Sequence, residues 1–259
     1  MAYPDYIDYG VAVARGENES GKTVKSLFKF GRATTLSTGN ITIWDRNTLY
    51  EFYTSSTVLK VASTDGNDAT AGTGAISIQI QGLDNNYAEV NETVALEGTT
   101  PVTTTADFLR VNRIIVNSSG SNNVNAGNIT IIANDQAANT FTAGGVPTTT
   151  SNVQGQILAE LGQSLMGVYT VPATFTCYVT EAHVSSAITK NITIEVFAMP
   201  ENEAFQIKST MAFQNSSIDR SYTPPVRFAP KTTIEVRGRS SSTAGNVSVE
   251  WNMILAEGD

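Results

Sequence analysis

The chain is poor in the residues that reactive sites are made from. It holds one cysteine, Cys177, and one histidine, His183, among 259 residues. A single thiol excludes an internal disulfide framework and any zinc site that needs two cysteines. A single imidazole leaves no hydroxyl-based triad unless His183 serves it, and the remaining candidate dyad is Cys177 with His183. Those two lie six positions apart in one β-rich run. The even spacing puts them on one face of a straight strand but roughly 20 Å apart at about 3.3 Å per residue, too far for proton transfer. Charge is also scarce: charged residues make up 15% of the chain, against roughly 25% in an ordinary globular protein. With 16 basic and 24 acidic residues the formal net charge is -8, so there is no cationic field for a phosphate backbone and nucleic acid is not an expected partner. No apolar run approaches 18 residues, and the start MAYPDYIDYG lacks the basic and apolar regions of a secretory leader. These features predict a protein made in a cytosol, with no membrane partner and no cofactor or metal.

Thr, Ser, Asn and Gly fill the space that charge leaves, giving surfaces that are polar without being ionic. From about residue 41 onward β-branched and aromatic residues alternate with polar ones at period two. Ile76-Ser-Ile78-Gln-Ile80, Val90 to Leu96, Ile129-Thr-Ile131, Ile192 to Val196, Ile234-Glu-Val236 and Val247 to Trp251 are the clearest runs. Asp-Gly, Thr-Gly and Ser-Ser-Gly-Ser-Asn-Asn segments between them supply the positive φ that tight turns require. This spacing predicts an all-β chain of two antiparallel, jelly-roll-like β-sandwich domains, over residues 41–133 and 169–259. Residues 134–168 read as a linker. Within it Val153 to Met166, with Ile157, Leu158, Leu161 and Leu165 at helical spacings, predicts one short helix capped by Ser151 and ended by Gly167.

Residues 1–40 read as an extended arm. Tyr3, Tyr6 and Tyr9 recur every three residues, and Phe28, Phe30 and Arg32 follow in a second aromatic stretch. These six are the candidate interaction residues, able to dock on the chain's own sandwich or on a neighbouring subunit.

Several chemical readings are available and are weaker. Asp65-Gly-Asn-Asp68 offers oxygens to a calcium ion but lacks the ligand spacing of an EF-hand, and reads as a turn whose Asx side chains bond their own backbone. Glu89 and Glu92 differ by an odd number, so on one strand they face opposite ways and do not make a glycosidase pair. Gly72-Thr-Gly74 lacks the Lys-Ser/Thr of a phosphate loop. Eight Asn-X-Ser/Thr sequons follow from composition. Trp44 and Trp251 suggest a sugar-stacking platform, although Trp251 alternates with Val247 and Val249 as a core residue does.

The segment Val24-Lys-Ser-Leu-Phe-Lys-Phe-Gly-Arg32, followed by Ile43-Trp44-Asp45, resembles an N-terminal motif of structural proteins of marine tailed bacteriophages. Gly72-Thr-Gly74-Ala75, Glu92 to Thr100, Phe108 to Val111, Gly162 to Met166 and Tyr169 to Ala173 resemble later blocks of that group. Arg46-Asn47 stands where that group carries a glycine run. The resemblance implies a non-enzymatic virion component assembled in the host cytoplasm, with no catalytic residues to carry over. The expectation is an exterior head decoration or cement protein that binds the major capsid protein or other virion proteins as a homo-oligomer, a trimer in particular. A neck or tail adaptor or fibre base is the alternative within the virion, and a carbohydrate-binding adhesion module the alternative outside that class.

Overall fold

The structure is a computed structural model, and it describes residues 9–16, 22–135, 137–149, 151–187, 189–242 and 245–258. Tyr3 and Tyr6 of the expected arm lie outside the described residues. One helix turn, α1 (Tyr9–Ala14), precedes sixteen strands. In chain order these are β1 (Val24–Ala33), β2 (Ile41–Thr42), β3 (Leu59–Ser63), β4 (Ala75–Leu83), β5 (Glu89–Ala95), β6 (Val102–Thr103), β7 (Arg110–Ser119) and β8 (Ile129–Ala133). Then follow β9 (Val153–Ile157), β10 (Val168–Thr170), β11 (Phe175–Ser186), β12 (Ile192–Met199), β13 (Gln206–Phe213), β14 (Ser216–Phe228), β15 (Thr233–Ser240) and β16 (Val247–Glu257). All the pairings among them are antiparallel.

The strands form four sheets. In the middle of the chain, sheet β6-β3-β8-β9 and sheet β5-β4-β7 share one core, in which Leu59 and Ile131 of the first meet Ile78, Ile80 and Ile114 of the second. Sheet β1-β16-β11-β14 and sheet β10-β15-β12-β13, with β2 added beside β15, share a second core built around Val249, Trp251, Met253, Ile194 and Val236. Period-two alternation is the cause in each case, because only one set of alternate side chains can be kept dry.

Three expectations change. First, β1 pairs with β16 over ten positions, from Val24 opposite Ala256 to Ala33 opposite Val247, so the stretch read as part of an arm is the edge of a sheet. Second, no helix forms over Val153 to Met166. Val153, Gly155 and Ile157 alternate inward on β9, which pairs with β8. Glu160 and Gly162 then take positive φ values of 67° and 70°, turning Leu161 into the core at spacings that mimic a helix. Third, residues 134–152 are not a bare connection, since Phe141 and Asn139 are buried and Phe141 joins a third apolar cluster with Trp44, Tyr50, Ile132 and Met166.

The Asp65–Asp68 loop is an Asx turn with an interior purpose. The Asp65 carboxylate accepts from the Asn67 backbone, while the fully buried Asp68 carboxylate accepts from Ser63 Oγ and the backbone N–H groups of Ala75, Ala126 and Gly127 at 2.5 to 2.8 Å. Four donors saturate its lone pairs, so this carboxylate ties three loops together at one end of the first core.

Candidate interaction surfaces

The residues that carry the phage resemblance come together in space. On β1 the side chains of Lys29, Gly31 and Ala33 face inward, opposite Trp251, Val249 and Val247, whereas Phe28, Phe30 and Arg32 face outward. Gly31 lies where backbones touch. A Cβ there would stand 2.4 Å from the Gly167 amide nitrogen and 2.6 Å from the Ile43 carbonyl oxygen, so no other residue fits without moving a strand. Arg32 reaches Asp45 with Nη2–Oδ1 at 2.8 Å, and burial raises the Asp45 carboxyl against the lowering pull of that guanidinium. The two halves of the motif, Lys29-Phe-Gly-Arg32 and Ile43-Trp44-Asp45, are thus clamped to each other.

The same residues join the two sheet pairs. Lys29 is buried and donates its ammonium to the Asn112 carbonyl on β7, while Arg113 donates to the Phe28 carbonyl on the free edge of β1 and lies 5.6 Å from the Phe30 ring centre. Asn112 also exchanges two hydrogen bonds with the Thr170 backbone, at 3.0 and 2.9 Å. Desolvation, helped by the nearby Arg113 charge, holds the Lys29 ammonium well below its ordinary pKa. Beside this polar clasp runs an aromatic chain. Trp44, Tyr50, Phe52, Phe205 and Phe197 follow one another at centroid separations of 5.1, 4.8, 5.4 and 6.4 Å. Arg237 lies 4.4 Å from the Phe197 ring centre, and Arg110 lies 5.4 Å from that of Phe52. The joint is therefore packed along its length rather than hinged on a linker.

Of the six candidate interaction residues, the structure unites three. Phe28 is 47% exposed and packs against Phe30 at 5.6 Å, while Arg32 is taken up by Asp45. Tyr9 falls in α1, which packs against β1, but its side chain lies outside the described residues. Both tryptophans are buried, at 2% and 5% exposure, which removes the stacking platform suggested for them.

Cys177 and His183 occupy opposite faces of β11. A bulge between Val179 and Glu181 shifts the register, so Cys177 enters the core while His183 faces out and bonds Asp219 on β14. The even spacing read from the sequence assumed a straight strand, which the bulge breaks. Burial pushes the Cys177 thiol up to about 12.

Sequence reasoning missed one site. Between β13 and β14, at the edge of the second sheet pair away from the joint, the two sheets part and leave an apolar cleft of about 180 Å³. Val184, Val196, Met211, Phe228 and Trp251 line it, and Lys208 and Arg220 stand at its mouth. No sequence signal pointed there, because β14 is polar and exposed over most of its thirteen residues. No described helix is long and apolar enough to cross a membrane.

The sequence matches no protein family model and no curated protein. Solved structures align over most of the chain but loosely. The structure of infectious bursal disease virus Gx strain aligns at 9% identity and a TM-score of 0.22, covering 91% of this chain and 72% of that one. The STIV MCP aligns at 10% identity and 0.24, covering 87% and 96%. A putative secreted protein from Parabacteroides distasonis aligns at 10% and 0.20, covering 92% and 90%. Superpositions this loose carry no argument about fold or function.

Proposed function

We propose that the chain is a non-enzymatic structural protein of a tailed-phage virion, acting as a head decoration protein that binds the outer capsid surface and stabilises the shell. The observation that carries this reading is the convergence of the motif residues. Lys29, Phe30, Gly31 and Arg32 with Ile43, Trp44 and Asp45 resemble the phage motif in sequence, and in space Gly31 and Arg32 fasten β1 to the Ile43–Asp45 segment while Lys29 bonds Asn112 of the first sheet pair. A shell-bracing protein needs such rigidity, because a compliant joint would yield before it transferred load between neighbours. The division into two jelly-roll-like sandwiches, with the residues ahead of β1 contributing contacts to a neighbour, belongs to the same proposal. So do a trimeric state, the major capsid protein as partner, and the virion as location. The low charge content supports the reading as well, since the cores of protein interfaces are depleted in charged residues.

Protein counting on purified virions tests it. A decoration protein is expected in copies on the order of hundreds, following icosahedral symmetry. Particles that lack the chain, or particles without it that resist heat and low ionic strength equally well, would sink the reading. A count matching the low rotational symmetry of a neck or tail would move the protein there.

A further inference from the structure

We propose that the cleft between β13 and β14 receives residues 1–8 of a second copy of this chain, with a tyrosine ring seated against Trp251 and the segment's aspartates facing Lys208 and Arg220. The inference rests on the assembly reading above and names the contact by which copies would join.

The cleft is suited to an aromatic ring. At about 180 Å³ it exceeds the roughly 150 Å³ of an apolar cavity known to stay dry and to accept benzene. Its walls are core residues: Val184, Met211, Phe228 and Trp251 are buried, at 2, 3, 6 and 5% exposure. Closing such a space with a ring recovers contacts that the flanking side chains otherwise forgo. Neither β13 nor β14 has a second strand partner among the described residues, so no described strand covers the entrance. Strand addition to β14 is disfavoured, because Pro224 and Pro225 interrupt its row of donors, and this leaves side-chain insertion as the mode of binding.

Charge selects the occupant. In a chain of net charge -8, the segment 206–228 carries Lys208, Arg220 and Arg227 against Asp219 alone, and Asp219 is paired with His183. Glu250 also lines the cleft, from the side of β16. Arg220 spans the mouth to Ser209 on β13 at 3.4 Å, a long contact that costs little to exchange. Residues 1–8, Met-Ala-Tyr-Pro-Asp-Tyr-Ile-Asp, hold Tyr3 and Tyr6 flanked by Asp5 and Asp8 and contain no Lys or Arg. Anions thus sit beside the rings as cations sit beside the cleft.

Reach favours a second copy over the same chain. The segment precedes α1, which packs against β1, and β1 lies three strands from β14 in the order β1-β16-β11-β14. Crossing those strands takes roughly 14 Å. Eight residues span at most about 26 Å, so that crossing alone consumes more than half of them before any enters the cleft.

The test titrates a labelled synthetic peptide of residues 1–12 into the chain lacking residues 1–8 and carrying Trp44→Phe, so that the cleft is free and Trp251 alone reports, and follows self-association on the full chain. Titration should change Trp251 emission, and Tyr3→Ala with Tyr6→Ala in the peptide should weaken binding at least tenfold. Lys208→Glu with Arg220→Glu, both exposed and away from the core, should do the same. The full chain should self-associate with concentration, and deletion of residues 1–8 should abolish that. An unchanged Trp251 signal, binding indifferent to the charge reversals, or self-association that survives the deletion would overturn the proposal. So would a full chain that stays monomeric while only the deleted form binds peptide, which would show docking within one chain. Because virion content is measured separately, a chain present in virions with no peptide binding sinks this contact alone. Peptide binding by a chain absent from virions sinks the assembly reading instead.

Discussion

The second sheet pair treats its two sides differently. On one side, Arg113 and Lys29 bonded to Asn112 hold edge strand β1 to the first sheet pair, and a chain of five aromatic rings runs across the same joint. On the other, β13 and β14 end their sheets unpartnered, with an apolar cleft between them. Exposed edges ordinarily invite pairing, and proteins blunt them with charge and proline. Here β14 carries Arg220, Arg227, Pro224 and Pro225 and stays polar over most of its length, whereas β1 needs no such protection because the chain itself covers it. Stability is thus concentrated at the joint, and the open side is left to whatever the protein meets.

The sharpest way to break that contrast is Gly31→Val. With backbone 2.4 Å from the first added carbon, β1 must part from the Ile43 and Gly167 backbones, and the expected outcome is loss of a cooperative thermal transition or of soluble protein, a cost of ~3 kcal/mol or more. Trp44→Ala comes next, removing the buried head of the aromatic chain at ~3–5 kcal/mol, read from the urea midpoint. Lys29→Met acts in the opposite direction and depends on pH. The folded pKa of Lys29 lies well below its ordinary 10.5, so between that lowered value and 10.5 the unfolded chain binds more protons. Stability from this group therefore rises with pH across the window, by at most ~1.4 kcal/mol per pH unit. Cys177 and Tyr169 work against it, since their raised pKa values withdraw stability above their ordinary 9.0 and 10.0. The difference between wild type and Lys29→Met cancels those contributions. The variant should be the more stable at neutral pH and its advantage should shrink towards pH 10.5; a constant difference would mean that the ammonium is not desolvated. The smallest effect is expected on the open side. Ile207 on β13 is 55% exposed, and Ile207→Ser should shift the urea midpoint by no more than the equivalent of ~0.5 kcal/mol. A large loss there would show that the open edge is part of the stable core.

Much of the strand pattern is readable because burial on one face leaves a period of two. Ile76-Ser-Ile78-Gln-Ile80 falls within β4, Ile192 to Val196 within β12, and Val247 to Trp251 opens β16 with Trp251 in the core. What escaped reading lacked that contrast. β9 carries Gln154 and Gly155 among its buried positions; a Cβ on Gly155 would displace the end of the Ile114 side chain, 2.2 Å away, and the buried Gln154 amide is answered by Tyr50 and the Glu51 carbonyl. β14 is legible only at its end, Val226-Arg-Phe228, because Ile218, Tyr222 and Val226 pack on the core at spacings of four with exposed residues between them. The leucines near 160 kept a helical spacing while the backbone turned through two left-handed residues. For the candidate site, Phe28, Phe30 and Arg32 were visible as an aromatic stretch. Their neighbours Asn112, Arg113 and Gly167 lie at least 80 positions further along the chain, and no local pattern connects them to β1.

The pairing of the first strand with the last has a mechanical consequence. Lys22 Nζ reaches the Gly258 carbonyl at 2.7 Å, and the Thr23 amide meets Glu257, so the entry to β1 and the exit from β16 share one corner. A pull applied to the two ends together would peel β1 from β16 one hydrogen bond at a time, beginning at Val24 and Ala256. A pull between that corner and the far sheet pair would instead load the aromatic joint and the bonds of Lys29 to Asn112 and of Arg113 to Phe28 all at once. The block is soft to unzipping from its ends and stiff to traction across its waist, which sets where a tether or a fused domain can be attached without weakening it.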